Sequence, residues 1–231
     1  MVDRWNIVYQ MGKVGSTSIV NGLLKHEFEA TKAHWLHHLY PEGEFPTVRP
    51  DIKERLHEPL NVIVPIREPM ARNISAFFQK IDFYEFALDK TSVDKLYKTF
   101  LNKYRITYPD EWFRKELTYT FAVDPYGVPF NHSDGYQFYQ DGVNTILIIR
   151  LEDCERVLPE AMEKLVGVPI QMKRDNASDA IKRRFGIEKY YRIFKNLKFP
   201  KHFVDKHYEL EYAKHFYTEK EIQEFKKKWT S

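Results

Sequence analysis

Short, largely apolar runs rich in β-branched residues constrain the fold of this chain most. Asn61–Ile66 and Thr145–Ile149 are such runs, and both are bounded by turn residues, which is typical of strands buried on both faces. Trp5–Gln10 is a third candidate strand and Ala30–Leu39 a fourth. Helical patterns follow these strands, so the alternation predicts an α/β fold with a parallel β-sheet flanked by helices.

The helical patterns begin and end at recognisable residues. Pro69 suits the first position of a helix that continues over Met70–Ile81, and Gly167 suits the end of another. The predicted helices are Ser18–His26, Asp51–His57, Met70–Ile81, Ser92–Tyr104, Asp110–Leu117 and Glu152–Val166.

The length of 231 residues predicts one domain, 1–231. Within it, 82–140 breaks the alternation and is predicted to be a helical, aromatic-rich insert, in which Tyr119–Tyr139 forms hairpins and loops. The C-terminal part, 171–231, is predicted to be helical and basic, with 16 basic and 9 acidic residues. This charge favours a solvated helical face, with half of an anion site as the alternative.

Charge and cysteine content exclude several classes of protein. Lys and Arg total 36 and Asp and Glu 33, a net charge of +3, so no nucleic-acid partner is expected. The single cysteine, Cys154, excludes an internal disulfide and a multi-cysteine metal site, and we expect an inert buried thiol. The apolar runs are too short for a transmembrane segment and the start shows no signal-peptide pattern, so a cytoplasmic protein is expected.

The segment Gly12–Ser18 is the strongest functional signal, because it lies between the first strand and the first helix. Small residues let backbone N–H groups approach a phosphate, the helix N terminus adds partial positive charge, and Lys13 adds a mobile cation. The alternative is an ordinary strand–helix turn with a Ser/Thr cap. The loop of Mg-dependent nucleotide hydrolases would need a glycine in place of Ile7 and a hydroxyl in place of Val14, so a Mg-nucleotide enzyme is disfavoured.

Arg67 directly follows the strand over Asn61–Ile66, where ligands of open α/β sheets bind. Ser75 lies eight residues further on, two helical turns into the next predicted helix, and an Arg–Ser pair suits a second phosphate. The alternatives are a surface ion pair of Arg67 with Glu68 and a simple helix-face serine at Ser75. Two phosphate sites on one sheet edge suggest a nucleotide with phosphates at both ends.

These two motifs resemble those of a known family. Lys13–Ser18 resembles the 5′-phosphosulfate loop of sulfotransferases that use 3′-phosphoadenosine 5′-phosphosulfate (PAPS), and Arg67–Ser75 resembles their 3′-phosphate motif. The chain is most similar to the capsular polysaccharide synthesis group, also over His37–Gly43, Thr145–Asp153 and Tyr212–Tyr217. The resemblance implies a P-loop-type sheet and PAPS as cofactor, with Lys13 on the leaving phosphate and no metal. The cofactor-binding residues that it implies are Lys13, Val14, Gly15, Ser16, Thr17, Ser18, Arg67 and Ser75.

Transfer to a hydroxyl also needs a general base, and histidine titrates near neutral pH. The candidates are His34, His37 and His38, which lie toward the end of the second predicted strand. We favour His37, because the resembling family carries a histidine before a similar segment. Glu44 and Glu85 are weaker alternatives.

We therefore expect a sulfotransferase that moves a sulfuryl group from PAPS to a hydroxyl of a carbohydrate or other small acceptor. The insert, with Trp112 and Tyr119–Tyr139, is the expected acceptor side, although these aromatics equally suit a small core. The alternatives are a nucleotide or phosphosugar kinase with a degenerate P-loop and a non-catalytic nucleotide-binding module.

Overall fold

The computed structural model of the protein describes residues 4–36, 50–81, 91–172 and 187–230. These residues form two compact units. The first contains the described residues within Met1–Arg67 and Asp110–Arg174, and the second contains those within Glu68–Pro109 and Asp175–Ser231. The predicted insert, 82–140, therefore contributes to both units.

The first unit is built on a five-stranded sheet of order β2-β1-β3-β5-β4. Four strands are parallel, as predicted, because β1 pairs with β2 and β3, and β3 pairs with β5. The prediction of an all-parallel sheet is wrong for β4, which runs antiparallel to β5. The strands are β1 (Trp5–Tyr9), β2 (Ala30–Ala33), β3 (Leu60–Ile66), β4 (Tyr136–Gln140) and β5 (Thr145–Arg150).

A tight turn explains the direction of β4. The Asp141 carboxylate accepts hydrogen bonds from the Asn144 backbone N–H and side-chain amide, both at 2.8 Å, and Gly142 adopts a φ of 88°. A connection this short reverses the chain, and so it joins antiparallel neighbours. The Asn144 side-chain oxygen also accepts from the Leu60 N–H at 2.8 Å, which ties the turn to β3.

Apolar helix faces pack on the sheet of the first unit. β3 is buried at all seven positions, as expected of a central parallel strand. The helices with bounds in this unit are α1 (Ser16–Lys25), α2 (Pro50–Arg55), α6 (Thr118–Phe121) and α7 (Cys154–Val166), and a π-helical turn, Phe113–Leu117, precedes α6. The hydrophobic core that α1 and α7 form with the sheet contains Val8, Ile19, Leu23, Ile63, Leu147, Ile149, Val157, Leu158, Ala161 and Met162.

Two local predictions in this unit are confirmed. Gly167 ends α7 with a φ of 80°, a conformation that glycine adopts without strain. Cys154 at the start of the same helix is fully buried, and burial raises the pKa of its thiol well above the usual range.

The second unit is helical and has an aromatic core. Ring pairs such as Phe77–Phe100 at 5.2 Å and Phe78–Phe194 at 4.8 Å fill its interior. Aromatic residues make up 16% of the sequence, and some of them are therefore used for core packing. Its helices are α3 (Pro69–Gln79), α4 (Val93–Lys103), α8 (Glu188–Phe194), α9 (Lys201–Tyr208), α10 (Glu211–Phe216) and α11 (Glu219–Trp229), while α5 (Tyr108–Trp112) includes the boundary between the units.

The start of α3 shows why a helix begins directly after β3. Pro69 occupies the first turn, as predicted, and the Glu68 carboxylate accepts from the Met70 and Ala71 N–H groups at 2.8 Å each. The Tyr208 hydroxyl also donates to Glu68, which is buried. Across the ranges that the structure describes, no helix is both long and apolar enough to cross a membrane.

Candidate functional site

The loop between β1 and α1 has an unusual backbone. Gly12, Lys13 and Gly15 all lie in the left-handed region, with φ values of 89°, 65° and 80°. Runs of residues of mixed handedness turn successive backbone N–H groups toward one concavity, which is a common anion-binding arrangement. The predicted phosphate loop therefore has a backbone suited to an anion.

Side chains of the same unit hold this loop in place. The Gly12 N–H donates to the Gln10 side-chain oxygen at 2.8 Å, and the Gln10 amide nitrogen lies 2.9 Å from Nε2 of His34. A Cβ added at Gly15 would lie 2.6 Å from Cδ1 of Leu151. Gly15 is therefore required both by its φ and by this close approach.

The start of α1 supplies further donors. Gly15 is the N-cap and contributes no side-chain acceptor, while Ser16 and Thr17 begin the helix. Backbone N–H groups at a helix N terminus favour anions. The Lys32 ammonium of β2 donates to the Thr17 hydroxyl at 3.1 Å, so a second lysine lies beside the helix start. The sequence reasoning did not identify Lys32, although a lysine on an adjacent strand is a usable signal.

Arg67 lies at the carboxyl end of β3, next to the loop. Its guanidinium NH1 donates to the Lys13 carbonyl oxygen at 3.2 Å. β1 lies between β2 and β3, so the chain leaves β1 toward one neighbour and the order reverses there. Ligands of open α/β sheets bind outside the carboxyl ends of the strands at such a switch point. Lys13 and Arg67, predicted from separate motifs, are thus in contact through the Lys13 main chain.

Ser75 is almost fully buried, at 2% exposed, and it belongs to α3 in the second unit. The expected contact of its hydroxyl with the Arg67 guanidinium stays a prediction. Of the motif over Arg67–Ser75, Arg67 belongs to the same unit as the loop and lies beside it.

The second strand is shorter than predicted. β2 ends at Ala33, and His34 lies in a bend after it, so His34 is not part of the strand that was predicted over Ala30–Leu39. The His34 ring contacts that of Trp35, with 5.2 Å between centroids. The favoured base, His37, lies outside the described residues, as do the alternatives His38, Glu44 and Glu85.

A buried carboxylate that sequence reasoning missed fixes the chain before His37. Glu116 is fully buried in the π-helical turn, and its Oε2 accepts from the Tyr9 hydroxyl and from the Leu36 N–H, the latter at 3.0 Å. Trp112 donates from Nε1 to the His34 carbonyl at 2.9 Å. π-Helical turns are frequent at functional sites. Residues 34–36 are therefore held by buried polar contacts.

The Tyr9 hydroxyl is affected by this arrangement. Burial raises its pKa well above the usual value, and the nearby Glu116 carboxylate raises that pKa further. Tyr9 ends β1, directly before the residues that lead into the loop. The carboxyl end of β1 is therefore tied to Leu36 through one carboxylate.

An ion pair lies at the carboxyl end of β5. The Arg150 guanidinium, 4% exposed, donates from Nε to the Asp153 carboxylate at 2.5 Å and from NH2 to the His132 carbonyl at 3.3 Å. Asp134 accepts from the Asn131 amide at 2.8 Å. His132 and Asp134 thus take part in the local structure of this loop.

The aromatic segment divides between core and surface. Trp112, Phe121 and Tyr139 are buried, at 2%, 3% and 9% exposed, which supports the core interpretation for these rings. Tyr119 is 66% exposed. Within this segment, only part of the aromatic surface is thus open to an acceptor.

Comparison with known proteins adds one match. The model of the family described as "Putative capsular polysaccharide synthesis protein" matches residues 84–218, more than half of the chain. The matched segment begins after both phosphate motifs and includes β4, β5 and α7. No curated protein and no solved structure matches the chain.

Proposed function

The chain belongs to the capsular polysaccharide synthesis protein family, and on this premise we propose that it is a PAPS-dependent sulfotransferase. The acceptor is a hydroxyl of a carbohydrate or other small molecule. The observation that carries the proposal is the hydrogen bond of 3.2 Å between the Arg67 guanidinium and the Lys13 carbonyl. It joins a loop suited to one phosphate with a cation suited to another.

The donor set fits a nucleotide with two separate phosphates. The backbone and hydroxyl groups from Gly15 to Ser18 would hold the 5′-phosphate, together with the Lys13 ammonium. Arg67 would bind the 3′-phosphate, since a guanidinium can donate two parallel hydrogen bonds to it. Ser75 is proposed as its partner, from the resemblance described above.

Sulfuryl transfer makes two demands on the protein. PAPS, when bound, supplies the sulfuryl group, and negative charge then develops on the 5′-phosphate as it leaves. Lys13 would stabilise this charge, which in comparable sites accounts for about 10²–10³ in rate. His37 would accept the proton of the acceptor hydroxyl as the new S–O bond forms. Leu36, held by Glu116, is the residue directly before it.

Nucleotide binding is tested first. Adenosine 3′,5′-bisphosphate should raise the melting temperature of the protein, because a ligand that binds only the folded state stabilises it. Arg67→Ala should remove most of this shift. A shift with Mg-ATP and none with the bisphosphate would overturn the proposal in favour of a kinase.

Transfer is tested with labelled PAPS and an acceptor screen read by mass spectrometry. Lys13→Ala should lower the rate by at least about 100-fold while the protein stays folded. Lys25→Ala is the matched control, because Lys25 is exposed in the last turn of α1. Full activity of Lys13→Ala would refute the role of Lys13. Bisphosphate binding without transfer to any acceptor would replace the proposal by the non-catalytic module.

A further inference from the structure

Four polar side chains form one row across the sheet of the first unit. Asn6 of β1 pairs in register with Asn61 of β3, Asn61 with Thr145 of β5, and Thr145 with Gln140 of β4. Residues in register on neighbouring strands project from the same face of a sheet. The next row on the same face lies two residues along the strands and is Val8, Ile63, Leu147 and Phe138, so the polar row lies beside an apolar one.

Hydrogen bonds connect this polar row. The Asn61 amide donates to the Asn6 side-chain oxygen at 3.1 Å, and the Gln140 amide donates to the Thr145 hydroxyl at 3.2 Å. Arg4 donates from its guanidinium to the same hydroxyl at 2.9 Å. The Asn6 amide also donates to the Arg4 carbonyl at 3.4 Å, so Arg4 links the asparagine pair to Thr145 and Gln140.

Hydrogen bonds account for the two buried asparagines of the row. Asn6 and Asn61 are only 1% and 5% exposed. The Asn6 amide donates to the Glu29 carbonyl at 3.1 Å, and the Asn61 amide donates to the Asn6 side-chain oxygen. The members of the row that are open to a ligand are therefore the more exposed ones, Thr145 and Gln140.

The row lines a cavity of about 630 Å³ at the amino ends of the parallel strands. Arg4 and Lys164 contribute cations to its lining, and the partly exposed rings of Phe28 and Phe138 contribute apolar faces. The volume is in the range of about 300–1,000 Å³ that is usual for small-molecule sites. Every lining residue belongs to the first unit, and none belongs to the loop over Gly12–Ser18.

The chemistry of the lining selects among ligand classes. Amides and a hydroxyl both donate and accept, which suits the hydroxyl groups of a sugar. Flat aromatic faces suit the C–H face of a sugar ring. The Arg4 guanidinium suits a carboxylate, because it donates parallel hydrogen bonds to both oxygens. Lys164 already binds Glu160 at 2.6 Å and the Tyr136 hydroxyl at 2.8 Å, so Arg4 is the stronger anion contact.

We propose that this cavity binds an acidic sugar residue, a hexuronate, through Arg4, the polar row and the two phenylalanine rings. The site consists of residues other than those proposed for PAPS. It therefore stands or falls independently of the sulfotransferase proposal.

The test is a titration of the full chain with methyl β-D-glucuronide, in which binding is measured by calorimetry and by NMR. Arg4→Gln should weaken binding at least about tenfold, which is the loss of one charge-assisted contact. Gln140→Ala, at an exposed position, should weaken it less. Lys25→Gln is the matched control and should leave the affinity unchanged, because Lys25 lies on α1 and outside the cavity lining. Melting curves of each variant establish that it is folded.

Three comparisons decide the ligand class. Methyl β-D-glucoside should bind at least about tenfold more weakly than the glucuronide, since it lacks the carboxylate. Benzoate should bind more weakly too, since it lacks the hydroxyl groups. Equal affinity of the glucoside would overturn the role of Arg4, equal affinity of benzoate would overturn the sugar assignment, and no glucuronide binding would overturn the site. Lys13→Ala should keep its glucuronide affinity, which separates this result from the test of the proposed function.

Discussion

The two edges of one sheet hold polar groups in different ways. At the carboxyl edge, left-handed residues such as Gly12 and Gly15 shape the main chain, and Arg67 binds a main-chain carbonyl. At the amino edge, Asn6 and Asn61 bind each other through their side chains while the strands stay regular. Substitutions should therefore act mainly through the backbone at the first edge and through side-chain chemistry at the second.

The largest effect is expected at the carboxyl edge, for Glu116→Ala. The substitution leaves the buried Tyr9 hydroxyl and Leu36 N–H without their acceptor, and we expect a loss of about 3–5 kcal/mol in the free energy of unfolding. Urea denaturation measures it. Glu116→Gln keeps one oxygen acceptor and should lose less. A Glu116→Ala variant within about 1 kcal/mol of the parent would show that the anchor at this edge is unimportant.

A pair of glycine substitutions compares the backbones of the two edges. Gly15→Ala meets both a φ of 80° and the Leu151 methyl at 2.6 Å, and because the Leu151 side chain can shift, we expect a loss of about 2 kcal/mol, mainly from the backbone. Gly142→Ala, in the turn before β5, has a φ of 88° but no atom within 4 Å of the added Cβ, so it should lose about 1 kcal/mol. Thermal and urea unfolding measure both. Equal losses would contradict the close approach at Gly15.

Asn61→Ala tests the side chains of the amino edge. It removes the donor to the Asn6 side-chain oxygen, and we expect a loss of about 2 kcal/mol on urea denaturation. The double variant Asn6→Val, Asn61→Val should recover most of that loss, since it replaces both partners by residues that favour strands. A double variant less stable than Asn61→Ala would mean that the amide pair stabilises the sheet.

A pH dependence of stability is also expected at the carboxyl edge. The pKa of Tyr9 is raised in the folded state, so its contribution is complete below pH 10, where the unfolded tyrosine also keeps its proton. Above pH 10 the unfolded chain releases this proton first, and stability should fall by about 1.4 kcal/mol per pH unit until the folded pKa is reached. Urea unfolding at pH 8 and pH 11 measures this loss, and Tyr9→Phe should reduce it. An unchanged loss in Tyr9→Phe would assign it to other groups.

Local signals made much of the fold predictable. The strands β3 and β5 begin or end within one residue of the prediction, because a buried β-branched run is visible in the sequence. α3 begins at Pro69, as predicted from the preference of proline for the first turn, and α4 lies within the predicted helix Ser92–Tyr104. The direction of β4 depends on its turn and on pairing with β5, and the prediction of an all-parallel sheet did not include it.

The candidate site was likewise predictable where the signal is local and was missed where it depends on residues distant in the chain. Lys13 and Arg67 were placed together because the carboxyl ends of parallel strands share one edge. Glu116 was missed, since its burial depends on Tyr9 and Leu36, which are 107 and 80 positions away in the chain. The row through Asn6 and Asn61 was missed for the same reason: pairing in register is not visible until the strands are aligned. His37 stays a prediction.

The left-handed backbone at Lys13 has an evolutionary consequence. A side chain with a Cβ is strained at a φ of 65°, by about 1 kcal/mol, whereas glycine adopts this conformation readily. Under selection for folding alone, mutation would drift toward glycine or asparagine at this position, since either change relieves strain. Lys13 therefore costs the fold stability that a glycine would not. Lys13→Gly should accordingly melt at a higher temperature than the parent, whatever it does to the function of the loop.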